Sequence, residues 1–403
     1  MKLSRTAIEI YRRDARMTAP AGMRVAVSLH SHSNCSREKL DFVPGMVRRI
    51  PFVAALYERS MADYRRDYGA PLDFAMAYWR PPLSAEAVIA SEVEQIERRL
   101  DCAALVSLTD HDTIEGPLAL RAAGRYDVPL SVEWTVPFRE AVFHLGVHGL
   151  PPSRVEDTQR ALAAYTAGGP VPLGDLLDFV CECPETLVVL NHPCWDLAGL
   201  GMLQHESRLL AFLQEHRDRI HALELNGYRT WAENRRVLPL AEAFHLPVVG
   251  GGDRHGYPPN TIINLTAATC LGEFAHELRS GRGTHCVIFP EYLQPHAARM
   301  LETAVGVLRH IPDHHGGDCS WSERVFITTA HGVVMSAESM WNGAPWWLTG
   351  VVGITRLLGS GAVRPLFELI RTDGHRTIET DCHPEPAIAV VHALEAPRSA
   401  AVV

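Results

Sequence analysis

The sequence predicts an α/β protein whose chemistry sits at the ends of buried strands. Three observations predict it. Short apolar runs end repeatedly in His, Asp, Glu or Asn. Helical stripes lie between those runs. The composition is that of an ordinary folded chain, 47% hydrophobic and 21% charged over 403 residues. Short apolar runs bounded by turn signals read as buried strands, and strands alternating with helices read as parallel β with helical crossovers.

The elements follow in order. Val25 to Leu29 leads into His30, and Ala103 to Leu108 into Thr109, Asp110 and His111. Leu130 to Val132 leads into Glu133, and Ala141 to Phe143 into His144. Leu187 to Leu190 leads into Asn191 and His192, and Val248-Val249 passes through Gly250 to Gly252 into Asp253. Between them, Ser84 to Leu100 places apolar residues at Ala87, Val88, Val93, Ile96 and Leu100, a helical stripe with Ser84 as its cap. Arg235 to Phe244 repeats the pattern ahead of Pro247. Chemistry at the carboxyl ends of such strands follows the rule for α/β barrels.

Residues 1–23 read as an N-terminal segment, and 24–290 as the unit that carries the strand-and-ligand rhythm. Within it, 40–82 breaks the rhythm with Tyr57, Tyr64, Tyr68, Tyr78 and Trp79 beside Arg65, Arg66 and Arg80. That stretch is expected to be a helical insertion, either covering the mouth of the site or serving as a packing arm. From Glu291 the rhythm stops, and 291–403 reads as an extension or small subdomain.

A formal net charge of -9 argues against general binding to a long nucleic acid, which calls for a basic surface. A local pocket for one or two phosphates stays open. Nine irregularly spaced cysteines do not make a disulfide framework, so reduced thiols and a cytoplasmic location are expected. The N-terminus lacks the apolar stretch of a secretory signal. The most apolar run, Ala344 to Ile354, falls short of the roughly 20 residues that span a bilayer.

Five motifs carry metal-capable chemistry. His30-Ser-His32 puts two imidazoles on one side of an extended chain. Thr109-Asp110-His111-Asp112 follows a buried run, although Asp112 also suits a helix N-cap. Glu133 precedes His144-Leu-Gly, and a carboxylate there has two oxygens with which to bridge metals. Asn191-His192-Pro193 and Gly252-Asp253-Arg254-His255 complete the set, with Asp253 and His255 on one face by the same period of two.

In this order the motifs resemble the PHP superfamily, named for polymerases and histidinol phosphatases, over roughly Arg24 to Pro290. The resemblance implies a distorted (β/α)7 barrel, with the insertion and the extension added to it, that holds two or three divalent metal ions. On the matching motifs, His30, His32, Glu133 and Asp253 would hold one metal. Glu133 would bridge to a second with His144 and His192, and His111 and His255 would hold a third. Asp110 is a further candidate from its motif. One departure stands out: Arg37 occupies the place of an expected acid, and Glu38 comes one position late. Either Glu38 takes over, or the third site is weak or absent and Arg37 meets a substrate phosphate.

The implied reaction is hydrolysis of a phosphate monoester of a small molecule or nucleotide by metal-activated hydroxide. Arg37 and Arg254 are candidates to neutralise phosphate charge, and Asp112 or His148 to protonate the leaving group. Zn, Mn and Fe all suit His and carboxylate donors. The expected partner is a small phosphorylated substrate, with no long nucleic acid and no membrane span. Three alternatives remain: a phosphodiesterase or exonuclease on short oligonucleotides, hydrolysis of a C–N or ester bond, and a scaffold that keeps metals for stability.

Overall fold

The computed structural model describes residues 6–11, 19–281, 284–312, 318–341 and 344–359. The expected 1–23 and 291–403 segments therefore lie partly outside the described residues. In chain order the strands are β1 (Ala7–Ile10), β2 (Val25–Ser28), β3 (Glu38–Lys39), β4 (Tyr78–Trp79), β5 (Ala103–Val106), β6 (Val132–Phe138), β7 (Ala141–His148) and β8 (Leu187–Asn191). Then come β9 (Ala222–Asn226), β10 (Val248–Gly251), β11 (Ile262–Thr266), β12 (His285–Ile288), β13 (Ile311–Pro312), β14 (Asp318–Cys319), β15 (Val325–Thr328) and β16 (Val334–Ser336).

The fold is mixed α/β. One five-stranded sheet has the order β1-β12-β11-β2-β5 and a second the order β10-β9-β8-β7-β6. β2 runs parallel to β5, and β8, β9 and β10 run parallel to one another. Each of these parallel steps is crossed by a helix: Ala85–Leu100, Met202–His216 or Trp231–Phe244. Ser84 caps the first, accepting from the Ala87 amide at 3.2 Å. The last begins with a reciprocal Thr230 and Glu233 capping box.

The all-parallel expectation is corrected at β6 and β7, which form an antiparallel hairpin and continue antiparallel into β8. Only Arg139 and Glu140 separate β6 from β7, too few for a crossover. Glu133 and His144 consequently lie inside strands rather than past their ends.

The two sheets do not close into one continuous barrel. They are joined at isolated parallel bridges, Ser31 after β2 with Arg254 after β10, and His111 after β5 with Glu133 in β6. The interruption has a backbone cause. His30, Asp112 and Asp253 hold φ of 64°, 51° and 55°, outside the extended region that a ladder requires. These are the positions where chain direction breaks to present side chains.

The largest core lies between the second sheet and its helices, around Trp134, Leu145, Leu190, Phe212 and Leu223. Each such side chain contributes roughly 1.5–3 kcal/mol by leaving water. The expected insertion does carry helices, Val43–Val47 and Pro51–Tyr68. It packs on the C-terminal extension: the Trp347 indole donates to Ser60 Oγ at 2.8 Å, and Tyr64 faces Trp341. A four-stranded sheet of order β16-β15-β4-β3 joins the two segments. Among the described residues, the cysteines form no disulfide and no helix is long and apolar enough to cross a membrane.

Candidate metal centre

Glu133 is the hub. It is fully buried at the start of β6. Its Oε1 lies 3.0 Å from His30 Nε2, 3.2 Å from His144 Nδ1 and 3.3 Å from His192 Nε2. Its Oε2 lies 3.1 Å from His111 Nδ1 and 3.3 Å from His32 Nε2. Five imidazoles from four chain segments thus surround one carboxylate.

Three groups of donor atoms form around it, each group within 4.8 Å. The first is His30, His32, Glu133 and Asp253, all buried. The second is His111, Glu133 and His144, with His192 against the same Glu133 oxygen. The third is His32, Glu38, His111 and His255. Glu38 Oε2 there lies 3.0 Å from His255 Nε2 and 3.2 Å from His111 Nε2. Glu38 therefore stands where the sequence left a choice between it and Arg37. The period-of-two argument for His30 and His32 does not hold, because His30 has positive φ. The rings converge nonetheless, 5.2 Å apart.

A second layer orients the first. Glu224, on β9, places Oε1 2.6 Å from His30 Nδ1, and its Oε2 accepts from the His192 amide at 2.8 Å. Asn226 donates to Glu224 Oε2 at 2.8 Å and to Asp253 Oδ2 at 3.3 Å. Asn191 donates to Glu133 Oε1 at 2.9 Å. The adjoining Gly250-Gly251-Gly252 run permits this closeness, since a Cβ on Gly251 would overlap Glu224 Oε1.

The electrostatics are those of a compact set of opposite charges. Burial opposes charge at Glu133, but His30, His111 and His144 outweigh it and hold the carboxyl well below its ordinary range. Asp253 is depressed against the same burial penalty, chiefly by His30. Burial also works against His111, yet Glu38 and Glu133 push it up to about 10. For His32, burial and the neighbouring His255 win, and it falls to about 4.

Five residues singled out from the sequence stand elsewhere. Asp110 is in none of the three groups: its oxygens accept from the Ser33 amide at 2.5 Å and the Ser33 hydroxyl at 2.8 Å. Asp112 accepts from the Thr135 amide at 2.8 Å. His148 is buried with Nδ1 2.7 Å from Ser107 Oγ, and burial pushes it down to about 3, so it is a neutral imidazole rather than an imidazolium acid at neutral pH. Arg254 turns into the protein, with Nη1 2.7 Å from Glu92 Oε1 and further bonds to Ser91, Gly256 and Tyr257. Arg37 is exposed and lies over the Tyr78 ring.

Other residues were not singled out and are close to the centre. Besides Glu224 and Asn226, Tyr228 flanks the His255 ring at 5.8 Å; Trp79, named from the sequence within 40–82, lies 6.1 Å from the same ring. Trp195 lies 4.9 Å from the His192 ring and is covered by the Arg229 guanidinium at 4.2 Å. The sequence signal for Glu224 was a lone acid inside Ala222–Asn226, a strand otherwise apolar up to Asn226.

The donor set fits divalent metal ions. His30 Nε2, His32 Nε2, His144 Nδ1 and Glu133 Oε2 are buried and have no hydrogen-bond partner among the described residues, while pointing at one another. Orphaned buried donors and acceptors of this kind are costly unless something binds them.

No family model matches this chain, and no curated protein matches it. Solved structures do match. One is an amidohydrolase from Chromobacterium violaceum, solved with sulfate and no metal, at 14% identity and a TM-score of 0.33, covering 57% of this chain and 87% of that one. Another is a proposed metal-dependent phosphoesterase from Bifidobacterium adolescentis, at 17% identity and a TM-score of 0.30, covering 50% of this chain and 92% of that one. At these scores neither likeness carries an argument about reaction or residues. What stands on this chain's own geometry is a buried centre of histidines and carboxylates suited to divalent metals.

Proposed function

We propose that this chain is a metal-dependent hydrolase that cleaves phosphate monoesters of a small molecule or nucleotide. The observation that carries the reading is the donor balance around Glu133. Three carboxylates, Glu38, Glu133 and Asp253, share the three groups with His30, His32, His111, His144 and His255. Three dications on these carboxylates and Glu224, with neutral imidazoles, leave net positive charge. A buried site of that charge favours a polyanionic substrate over a neutral amide or ester.

In this reading β2, β5, β6, β7, β8, β9 and β10 make up a distorted barrel whose seams are the Ser31–Arg254 and His111–Glu133 bridges. Residues 24–290 are its body, with 40–82 and 291–403 as additions. His30, His32, Glu133 and Asp253 would hold one metal, Glu133, His144 and His192 a second, and Glu38, His111 and His255 a third. When bound, such ions supply Lewis acidity toward phosphoryl oxygens and lower the pKa of water. The chain's own residues fix the donors: Glu224 sets the His30 tautomer, and Asn226 braces Asp253. Arg229, over the Trp195 ring and paired with Glu233 at 2.6 Å, would in this reading meet a second negative group on the substrate, the role the sequence had offered to Arg37 and Arg254.

The test is hydrolysis of para-nitrophenyl phosphate and bis(para-nitrophenyl) phosphate with added Mn, Zn or Fe. The reading expects metal-stimulated turnover, with the monoester preferred. A preference for the diester would replace phosphatase with phosphodiesterase. Bound metal with neither ester cleaved would sink the phosphoesterase reading.

A further inference from the structure

Glu38 reaches the centre from neither five-stranded sheet. It comes from β3, a strand of two residues. β3 pairs with β4, Glu38 opposite Trp79 and Lys39 opposite Tyr78. β4 is equally short, and its other edge pairs with β15 of the C-terminal extension, Trp79 opposite Val325 and Tyr78 opposite Phe326. β16 completes the sheet. Two paired dipeptides cannot hold a strand geometry in water by themselves. The extension supplies what they lack. The Tyr78 and Phe326 rings stack at 5.1 Å, the Arg80 amide donates to the Arg324 carbonyl at 2.9 Å, and Thr328 Oγ1 donates to the Met76 carbonyl at 3.1 Å.

The consequence falls on one donor group. Glu38 is the only carboxylate of the His32, Glu38, His111 and His255 group. The His30, His32, Glu133 and Asp253 group takes nothing from this sheet. We propose that the C-terminal extension is a positioning element for the third group: docking of β15 on β4 sets Glu38 in place, and metal binding there in turn holds the extension down. The proposal rests on the ligand reading given under the proposed function. Coupling of this kind is reciprocal by thermodynamic necessity, so it can be read from either end.

Two measurements on the full chain test it. The first is metal content and Mn2+ titration of wild type and Phe326→Asp, which breaks the stack on Tyr78. One fewer ion per chain in the variant, with the others retained, is expected. The second needs no disruption of the sheet: amide hydrogen exchange across Val325–Thr328, with and without Mn2+, in wild type and Glu38→Gln. Exchange there is expected to slow about tenfold or more with Mn2+ in wild type and to be indifferent to Mn2+ in Glu38→Gln. Equal exchange with and without Mn2+ in wild type, while metal is bound, would overturn the coupling and leave the ligand reading intact. Loss of every ion from Phe326→Asp would contradict its selectivity. No metal in wild type would overturn the ligand reading, and the coupling with it.

Discussion

Glu224 Oε1 lies 2.6 Å from His30 Nδ1, and the pair is buried. A carboxylate only accepts, so Nδ1 carries the proton, and Nε2, which faces Glu133 and Asp253, is the nitrogen a metal ion would take. Carboxylates in this position behind a ligating imidazole typically change metal affinity about 10–100-fold. Glu224→Ala is expected to weaken metal binding by about that factor while the chain stays folded. Metal titration followed by circular dichroism checks it. Unchanged affinity would show that the contact does not orient a ligand.

Gly251 tests the same contact from the backbone side. A methyl group there would overlap Glu224 Oε1. Gly251→Ala is expected to reproduce the Glu224→Ala loss of metal affinity, and combining the two is expected to add little, since both act on one contact. Full additivity in the titrations would place their effects apart.

Arg254 is expected to matter for stability rather than for phosphate binding. Its guanidinium is paired with Glu92 at 2.7 Å and buried. Removing one member of such a pair leaves the other charge uncompensated, at about 3–5 kcal/mol. Arg254→Met is therefore expected to lower the unfolding free energy measured in urea by that amount. A variant of near-normal stability with a raised KM would return Arg254 to the substrate.

His148 gives a pH signature. Burial, with a smaller push from His30, holds it at about 3, below its ordinary 6.5. Its folded pKa lies under the unfolded one, so falling pH protonates the unfolded chain first. The stability it contributes is complete above about pH 6.5 and is lost progressively as pH falls toward 3. With metal chelated in both proteins, wild type is expected to lose up to about 1.4 kcal/mol per pH unit more than His148→Asn across pH 6 to 4. Parallel stability curves over that window would show that His148 does not titrate there.

Much of the centre was legible in the sequence. His30, His32, His111, His144 and His192 meet around Glu133, and Asp253 and His255 join the adjoining donor groups; most of them follow or open a buried apolar run. Asp110, Asp112 and Arg254 lie within two residues of those histidines and looked alike, yet they turn to Ser33, Thr135 and Glu92. Residue type and spacing do not report side-chain direction where φ turns positive, as at Asp112 and Asp253. Glu224 was missed because it is a lone acid in the apolar strand Ala222–Asn226, whose partner is 194 positions away. The sheet that seats Glu38 was hidden for a similar reason. It is assembled from dipeptide strands in the insertion and a strand far along in the extension, too short for any periodicity to show.

The most direct measurement is the metal content of the purified protein beside that of Asp253→Asn and Glu133→Gln. The account expects two or three divalent ions per wild-type chain. It expects at least one fewer in Asp253→Asn, which belongs to one donor group, and a larger loss in Glu133→Gln, which belongs to two. A wild-type protein that binds no divalent ion when Mn, Zn and Fe are each supplied would contradict it, as would a Glu133→Gln variant that keeps them all.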